Sequence, residues 1–224
     1  MSIHSTKLSQ SLGNLTEWKK LSVGITGTTD NAYFKIELYS NSIARVHITK
    51  QNSFNDFSYA VVASAKDQSF EIEDSTHSLL LKTNFLQVVI SKKPFHVSFK
   101  NSSGEVLNED DPTLGTRWNG EQVTTIKKLQ KGERFIGLGE KTGPLDKKGR
   151  GYINWNTDNF AYGPDADPLY SSIPFYIGLH NRRAYGIYLD NSSRTQFNFA
   201  ASNDRFASFA ADTGDMNYYF IAGN

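Results

Sequence analysis

The stretch Phe85-Leu86-Gln87-Val88-Val89-Ile90-Ser91-Lys92-Lys93-Pro94-Phe95-His96-Val97-Ser98-Phe99 decides the fold class. A short apolar run leads into the turn Ser91-Lys92-Lys93-Pro94, after which Phe95, Val97 and Phe99 alternate strictly with polar residues. Period 2 places Phe95, Val97 and Phe99 on one face of a strand, whereas a helix would need apolar residues three and four apart. Asn101-Ser102-Ser103-Gly104 closes the unit with a second turn, and the whole reads as a β-hairpin.

The same rhythm extends in both directions. Phe34, Ile36 and Leu38 share one face, the polar turn Ser40-Asn41-Ser42 follows, and Ala44, Val46 and Ile48 share the next. Phe70 and Ile72, Leu79 to Leu81, Val123 to Leu129, Phe135 to Leu138, Ile173 to Leu179, Ala184 to Leu189, Phe197 to Phe199 and Tyr218 to Ile221 continue it. This predicts about thirteen short strands, spaced as in a sandwich or barrel. A short helix is expected near Leu8 to Lys20, although Gly13 sits in its middle. With no long 3.6-period segment and no repeat, βαβ folds are excluded. The expectation is an all-β fold, an antiparallel β-sandwich. A length of 224 residues suits one such unit, residues 1–224 forming a single domain.

Composition removes several function classes. There is no cysteine, so disulfides and thiolate metal sites are excluded. Lys and Arg number 24 against 23 Asp and Glu, which argues against a nucleic-acid or anionic-membrane surface. No apolar run is long enough to span a bilayer. Met1 to Ser5 lack the charged and apolar regions of a signal peptide, which favours a cytoplasmic over an exported protein. Acceptor-like triplets at Asn14, Asn101 and Asn191 are too short to carry weight.

The chemistry of the common enzyme sites is absent. Neither a G-x-S-x-G elbow nor a phosphate loop occurs. Gly137-Leu138-Gly139-Glu140-Lys141-Thr142-Gly143 is glycine-rich but precedes no helix pattern, so it reads as a bulge or tight bend at a strand end. His4, His47, His77, His96 and His180 are scattered at no metal-ligand spacing and read as surface or strand histidines. Asn154, Asn156 and Asp158 echo the start of a calcium loop, but Asn159 replaces the required glycine and Asp165 the bidentate glutamate. No metal and no cofactor is expected.

Gly139 to Ile173 breaks the strand rhythm. A loop of this length in a compact domain is usually functional or disordered, and Tyr152, Trp155, Phe160, Tyr162 and Tyr170 argue for packing. Trp155-Asn156-Thr157-Asp158 stands at its centre, and no Lys or Arg occurs from Gly151 to Asn181. Carboxylates among aromatic rings, without competing cations, suit a neutral polyhydroxylated ligand. Asp165 and Asp167, beside prolines, read as turn caps. For Asp158 both readings stay open.

The run Phe135-Ile136-Gly137-Leu138-Gly139-Glu140-Lys141 resembles the F-x-G-L-G-E-K pattern of family 31 glycoside hydrolases. The basic turn Lys147-Lys148-Gly149-Arg150, then Trp155-Asn156-Thr157-Asp158, then Asp167-Pro168-Leu169-Tyr170 and Ser172-Ile173-Pro174-Phe175 follow in the family's order. Tyr185-Gly186-Ile187, Asp190-Asn191-Ser192 and Tyr218 to Gly223 resemble the adjoining strands. The resemblance covers roughly the last ninety residues; the first hundred agree only in strand rhythm.

The resemblance implies a galactose-mutarotase-like β-sandwich that precedes a catalytic (β/α)₈ barrel, with the chain stopping before that barrel. The family's retaining mechanism uses two barrel aspartates, so no catalytic residue is assigned and the isolated chain is expected to be inactive. Implied partners are the chain's own missing barrel and an α-linked oligosaccharide, as in an α-glucosidase. Asp158 is implied to contact substrate hydroxyls at the active-site mouth, and Trp155 is the second implied substrate-binding residue, shaping that loop or its contact with the barrel. Such a contact requires Asp158 to be exposed, and not on the face opposite the chain's exit. A stand-alone carbohydrate-binding module is the alternative, and an aldose epimerase ranks last because no histidine lies in the loop.

Overall fold

The computed structural model describes residues 9–66 and 69–223, so His4 and the first residues of the expected helix lie outside the described residues. Within them the chain forms nineteen strands and no helix. In chain order these are β1 (Gln10–Ser11), β2 (Leu15–Leu21), β3 (Gly24–Thr29), β4 (Tyr33–Ser40), β5 (Ile43–Thr49), β6 (Glu71–Asp74), β7 (Ser78–Lys82), β8 (Leu86–Lys92) and β9 (Phe95–Asn101). There follow β10 (Val106–Glu109), β11 (Thr116–Asn119), β12 (Gln122–Lys128), β13 (Arg134–Gly139), β14 (Arg150–Asn154) and β15 (Ser172–His180). The last four are β16 (Arg183–Leu189), β17 (Thr195–Phe199), β18 (Phe206–Ala211) and β19 (Met216–Ala222).

The described strand pairings are antiparallel throughout. They build an eight-stranded sheet, β13-β15-β16-β19-β5-β4-β3-β2, opposed by a six-stranded sheet, β1-β11-β12-β18-β17-β14, and a five-stranded sheet, β10-β9-β8-β7-β6. The two smaller sheets join where Asp110 bridges Lys127. Rings interlock across the layers: Phe99 stacks on Phe220 at 3.9 Å, and Phe209 meets Tyr218 edge-on at 5.2 Å. The molecule is the expected β-sandwich.

Alternation in the sequence becomes burial in the fold. Phe34, Ile36, Leu38, Ala44, Val46 and Ile48 all face the core, each contributing roughly 1.5–3 kcal/mol of burial if fully sequestered (less for alanine). The expected helix near Leu8 to Lys20 is overturned: β1 and β2 occupy its described part. Leu15, Trp18 and Leu21 are half-buried at a spacing of three, which imitates a helical face. A bulge between Leu15 and Glu17 as β2 pairs with β3 brings Leu15 and Trp18 to the core-facing side of a strand, whereas Leu21, three residues on in unbroken register, falls on the other face. Tertiary pairing overrides local pattern here. The further strands beyond the expected thirteen, such as β1, β10 and β11, are short and owe their existence to a partner.

A buried ion pair ties the three sheets together. Lys127 Nζ lies 2.6 Å from Asp110 Oδ1 and 3.2 Å from the Tyr218 hydroxyl, over the rings of Phe99 and Tyr218. The second oxygen of Asp110 accepts the Val97 N–H at 2.8 Å. Burial pushes the Lys127 ammonium pKa down, and the charge of Asp110 only partly opposes it.

Candidate functional site

The glycine-rich motif forms the bulge expected of it. Gly137 pairs with Tyr176 and Gly139 with Ser172, so the register slips between them. Gly137 has φ +134°, and a Cβ there would lie 2.5 Å from the Phe175 carbonyl oxygen. Only glycine fits such an approach. Beyond the bulge the chain brings Lys141 under the long loop.

Lys141 is the loop's anchor. Its side chain is 1% exposed, its Nζ donates to the Ile153 carbonyl at 2.6 Å, and it pairs with Asp167 Oδ1 at 2.7 Å. The other oxygen of Asp167 accepts the Ile153 N–H at 2.5 Å. One cation and one carboxylate thus clamp the end of β13, β14 and the far limb of the loop. The stretch without Lys or Arg in sequence is therefore not cation-free in space, because Lys141 and Arg150 reach in from just before it. Asp165 meets Arg150 at 3.2 Å in an exposed pair. Turn capping is not what these two acids do: Asp167 bonds a backbone N–H fourteen residues upstream, and both acids take cations from outside the loop.

The loop neck is closed by backbone and Asn contacts. Thr157 N–H donates to the Leu169 carbonyl at 2.9 Å, and Asn156 Oδ1 accepts the Ser172 N–H at 2.8 Å. Asp158 projects beyond the neck into solvent and makes no ion pair among the described residues. Tyr170 donates its hydroxyl to the Asn159 carbonyl at 2.8 Å, and local desolvation with the Asp158 charge raises its pKa. Trp155 is 53% exposed, and Phe160, Tyr162 and Ile173 are exposed around it. The loop stands at one end of the eight-stranded sheet, beside the start of β15, whereas β19 carries the chain to the other end, where Ala222 pairs with Tyr185.

A polar network that the sequence did not signal lies beside the loop. Arg45 and His47 sit on the outward side of β5 yet are buried, because residues 51–62 cross over them. Asp56 pairs with Lys35 and Arg45, each at 2.8 Å. Arg45 donates to His47 Nδ1 at 3.1 Å, which leaves Nε2–H to donate to Asp215 at 2.9 Å. His47 is thus a strand histidine, as expected, buried within this network. Asp190 accepts from Ser58 at 2.9 Å, Tyr188 at 3.4 Å and Asn217 at 3.3 Å, all neutral donors. Burial and the adjoining Asp190 charge push the Tyr188 phenol up to about 12, so it remains a donor at neutral pH.

Between this network and the loop lies a cleft of about 890 Å³. Asn154, Trp155, Ser172, Tyr188, Asp190 and Tyr59 are among its walls, and among the described residues no Lys or Arg lines it. Trp155 reaches this cleft; Asp158 does not line it. Among the described residues, neither amide atom of the Asn154 side chain, 4% exposed, finds a hydrogen-bond partner, nor does Ser172 Oγ. Each such buried group is unfavourable by about 1–3 kcal/mol. Among the described residues, no three His, Asp or Glu side chains group as metal ligands. Glu133 lies near His180, but both are sealed in the core, with Tyr185 donating to Glu133 at 2.6 Å, so no aldose reaches that pair.

The profile of the glycosyl hydrolase 31 N-terminal galactose mutarotase-like domain matches residues 33–198. The chain belongs to that family. This glycosyl hydrolase 31 N-terminal domain is 33% identical over 203 residues to α-glucosidase 2 of Bacillus thermoamyloliquefaciens, covering 87% of the chain and 25% of the relative. It is 26% identical over 160 residues to α-xylosidase XylQ of Lactiplantibacillus pentosus, covering 69% and 20%. A family 31 dextranase of Flavobacterium johnsoniae, solved with isomaltotriose, superposes with TM-score 0.89 at 30% identity, over 96% of the chain and 27% of the dextranase. The chain therefore spans about a quarter of the length of these relatives.

Proposed function

We propose that this domain is the non-catalytic N-terminal sandwich of a retaining α-glycosidase acting on α-linked glucosides or oligosaccharides, an α-glucosidase in the first instance. Its partner is a (β/α)₈ domain that carries the nucleophile and the acid/base, which fits the quarter-length match. In this role the loop from Trp155 to Ser171 leans over the rim of the partner's sugar pocket, and Asp158 accepts hydrogen bonds from substrate hydroxyls.

The observation that carries the reading is the combination of an anchored base and an unpaired tip. Lys141 and Asp167 fix the loop, yet Asp158 and the rings of Trp155 and Phe160 are exposed, and Asp158 makes no ion pair among the described residues. Exposed aromatic surface of this kind marks a contact site. Of the two conditions set for this contact, exposure is met, but β19 leaves from the opposite end of the sheet, so the reading requires the partner domain to extend back by about 20 Å, the length of that strand.

The test is Asp158→Asn in the full-length enzyme, with Asp165→Asn as control. Losing a charge-assisted bond made to bound substrate is expected to lower kcat/KM on maltose or isomaltose by about 10- to 100-fold. Kinetics unchanged by Asp158→Asn would overturn the assignment. Asp165→Asn is expected to leave them as they are.

A further inference from the structure

A contact made by Asp158 needs the loop tip held still, and the tip cannot do that by itself. Among the described residues it bonds within its own loop, Tyr170 to the Asn159 carbonyl and Asn159 to the Pro168 carbonyl, and its ion pair with Arg150 is exposed at both partners. An exposed pair of that kind contributes little. The fixing is done where the two limbs leave the sandwich. Lys141 Nζ joins the Ile153 carbonyl on the near limb to Asp167 on the far limb, and Asp167 in turn accepts the Ile153 N–H. Thr142 Oγ1 donates to the Ala166 carbonyl at 3.0 Å, and the Glu140 N–H to the Ser171 carbonyl at 3.0 Å. Residues 140–142 thus hold both limbs. Burying a lysine costs desolvation that an apolar side chain avoids, so the pair is a poor device for stability alone. What it provides here is direction, because its charge-assisted bonds fix one arrangement of the limbs.

We propose that Lys141, with Asp167 as its partner, is a positioning residue for the glycosidase reaction: it sets where Asp158 stands over the partner domain's sugar pocket. This rests on the rim-loop reading of Asp158 and adds to it a residue buried in the sandwich. With its side chain 1% exposed, Lys141 acts only through the loop. Misplacing a substrate contact by about 1 Å can cost up to about a hundredfold in rate, so losing the clamp matters even while the loop stays closed. The effect has a ceiling. Where Asp158 is the route, removing Lys141 costs no more than removing the Asp158 charge, and the two losses do not add. A residue that supported the whole fold would behave otherwise: it would lower the amount of active enzyme, and with it kcat, while KM stayed the same.

The test is a double-mutant cycle in the full-length enzyme: Lys141→Met, Asp158→Asn and both together, assayed on maltose and isomaltose, with Asp165→Asn as a control on the far limb. Lys141→Met is expected to raise KM about tenfold with kcat held within about twofold. The double variant should match Asp158→Asn alone, and Asp165→Asn should change neither constant. With Asp158→Asn impaired, three results overturn the positioning role and leave the rim-loop reading standing: an unchanged KM in Lys141→Met, a fall in kcat alone, or losses that multiply in the double variant. Equal impairment by Asp165→Asn overturns it too, because any change to the far limb would then suffice. If Asp158→Asn is itself unimpaired, the rim-loop reading fails and the positioning role with it. Should Lys141→Met fail to fold, Asp167→Asn, which keeps an acceptor for the Ile153 N–H, gives the same readout.

Discussion

Replacing Lys141 by Met should release the long loop while leaving the sandwich folded. Lys141 makes two contacts, at 2.6 Å to Ile153 O and 2.7 Å to Asp167 Oδ1, and its side chain is almost completely shielded from water. Met fills a similar volume but leaves the Asp167 carboxylate without its cation. Removing one partner of a buried pair destabilises by about 3–5 kcal/mol. Asp167 retains 17% exposure and the Ile153 N–H, so the lower end, about 3 kcal/mol, applies. At 1.4 kcal/mol per tenfold change, local opening of the loop becomes about a hundredfold more frequent. Hydrogen exchange followed by mass spectrometry reads this directly. Peptides covering residues 152–172 should exchange about a hundredfold faster, and peptides from β4 and β5 should not change. Equal acceleration in both would mean that Lys141 supports the whole sandwich. No acceleration in the loop would refute the clamp.

Three further outcomes are expected. Gly137→Ala drives a Cβ against the Phe175 carbonyl at an unfavourable φ and should destabilise the chain by about 3 kcal/mol, lowering Tm by roughly 6–12 °C in calorimetry. Lys127→Met strands Asp110 in the core, for a loss of about 3–5 kcal/mol in urea unfolding; the double variant Lys127→Met/Asp110→Leu should recover only part of it, because the Val97 N–H then loses its acceptor, and a double no more stable than the single would count against the pair. Burial alone would raise the Asp56 carboxyl, but hydrogen bonds and charge from Lys35 and Arg45 outweigh it and hold the pKa below the usual value. A depressed folded-state pKa stabilises above the unfolded value near 3.9 and is lost as pH falls through the folded one. Pepsin cleavage within residues 51–62 should therefore accelerate below about pH 4, and in Asp56→Asn it should be fast throughout, with no such step.

By itself the sequence determined the fold class, because alternation along β4, β5, β8 and β9 depends only on which side chains avoid water. It also determined the family, through motifs that run in order from Phe135 to Gly223, and it singled out the loop around Trp155 and Asp158 as unusual. The glycine bulge was legible too, since few residues but glycine tolerate that backbone. The first strands were not legible: Leu15, Trp18 and Leu21 carry a helical spacing, and only pairing with β3 makes them a strand. The tertiary structure alone decided which charges meet. Lys141 lies twenty-six residues from Asp167 and Asp215 lies 168 from His47, and no local pattern encodes such pairings. The cleft was hidden for the same reason. Its walls come from β14, β15, β16, the turn before β19 and residues 55–59, so the unpaired carboxamide of Asn154 becomes visible only when two sheets close around it.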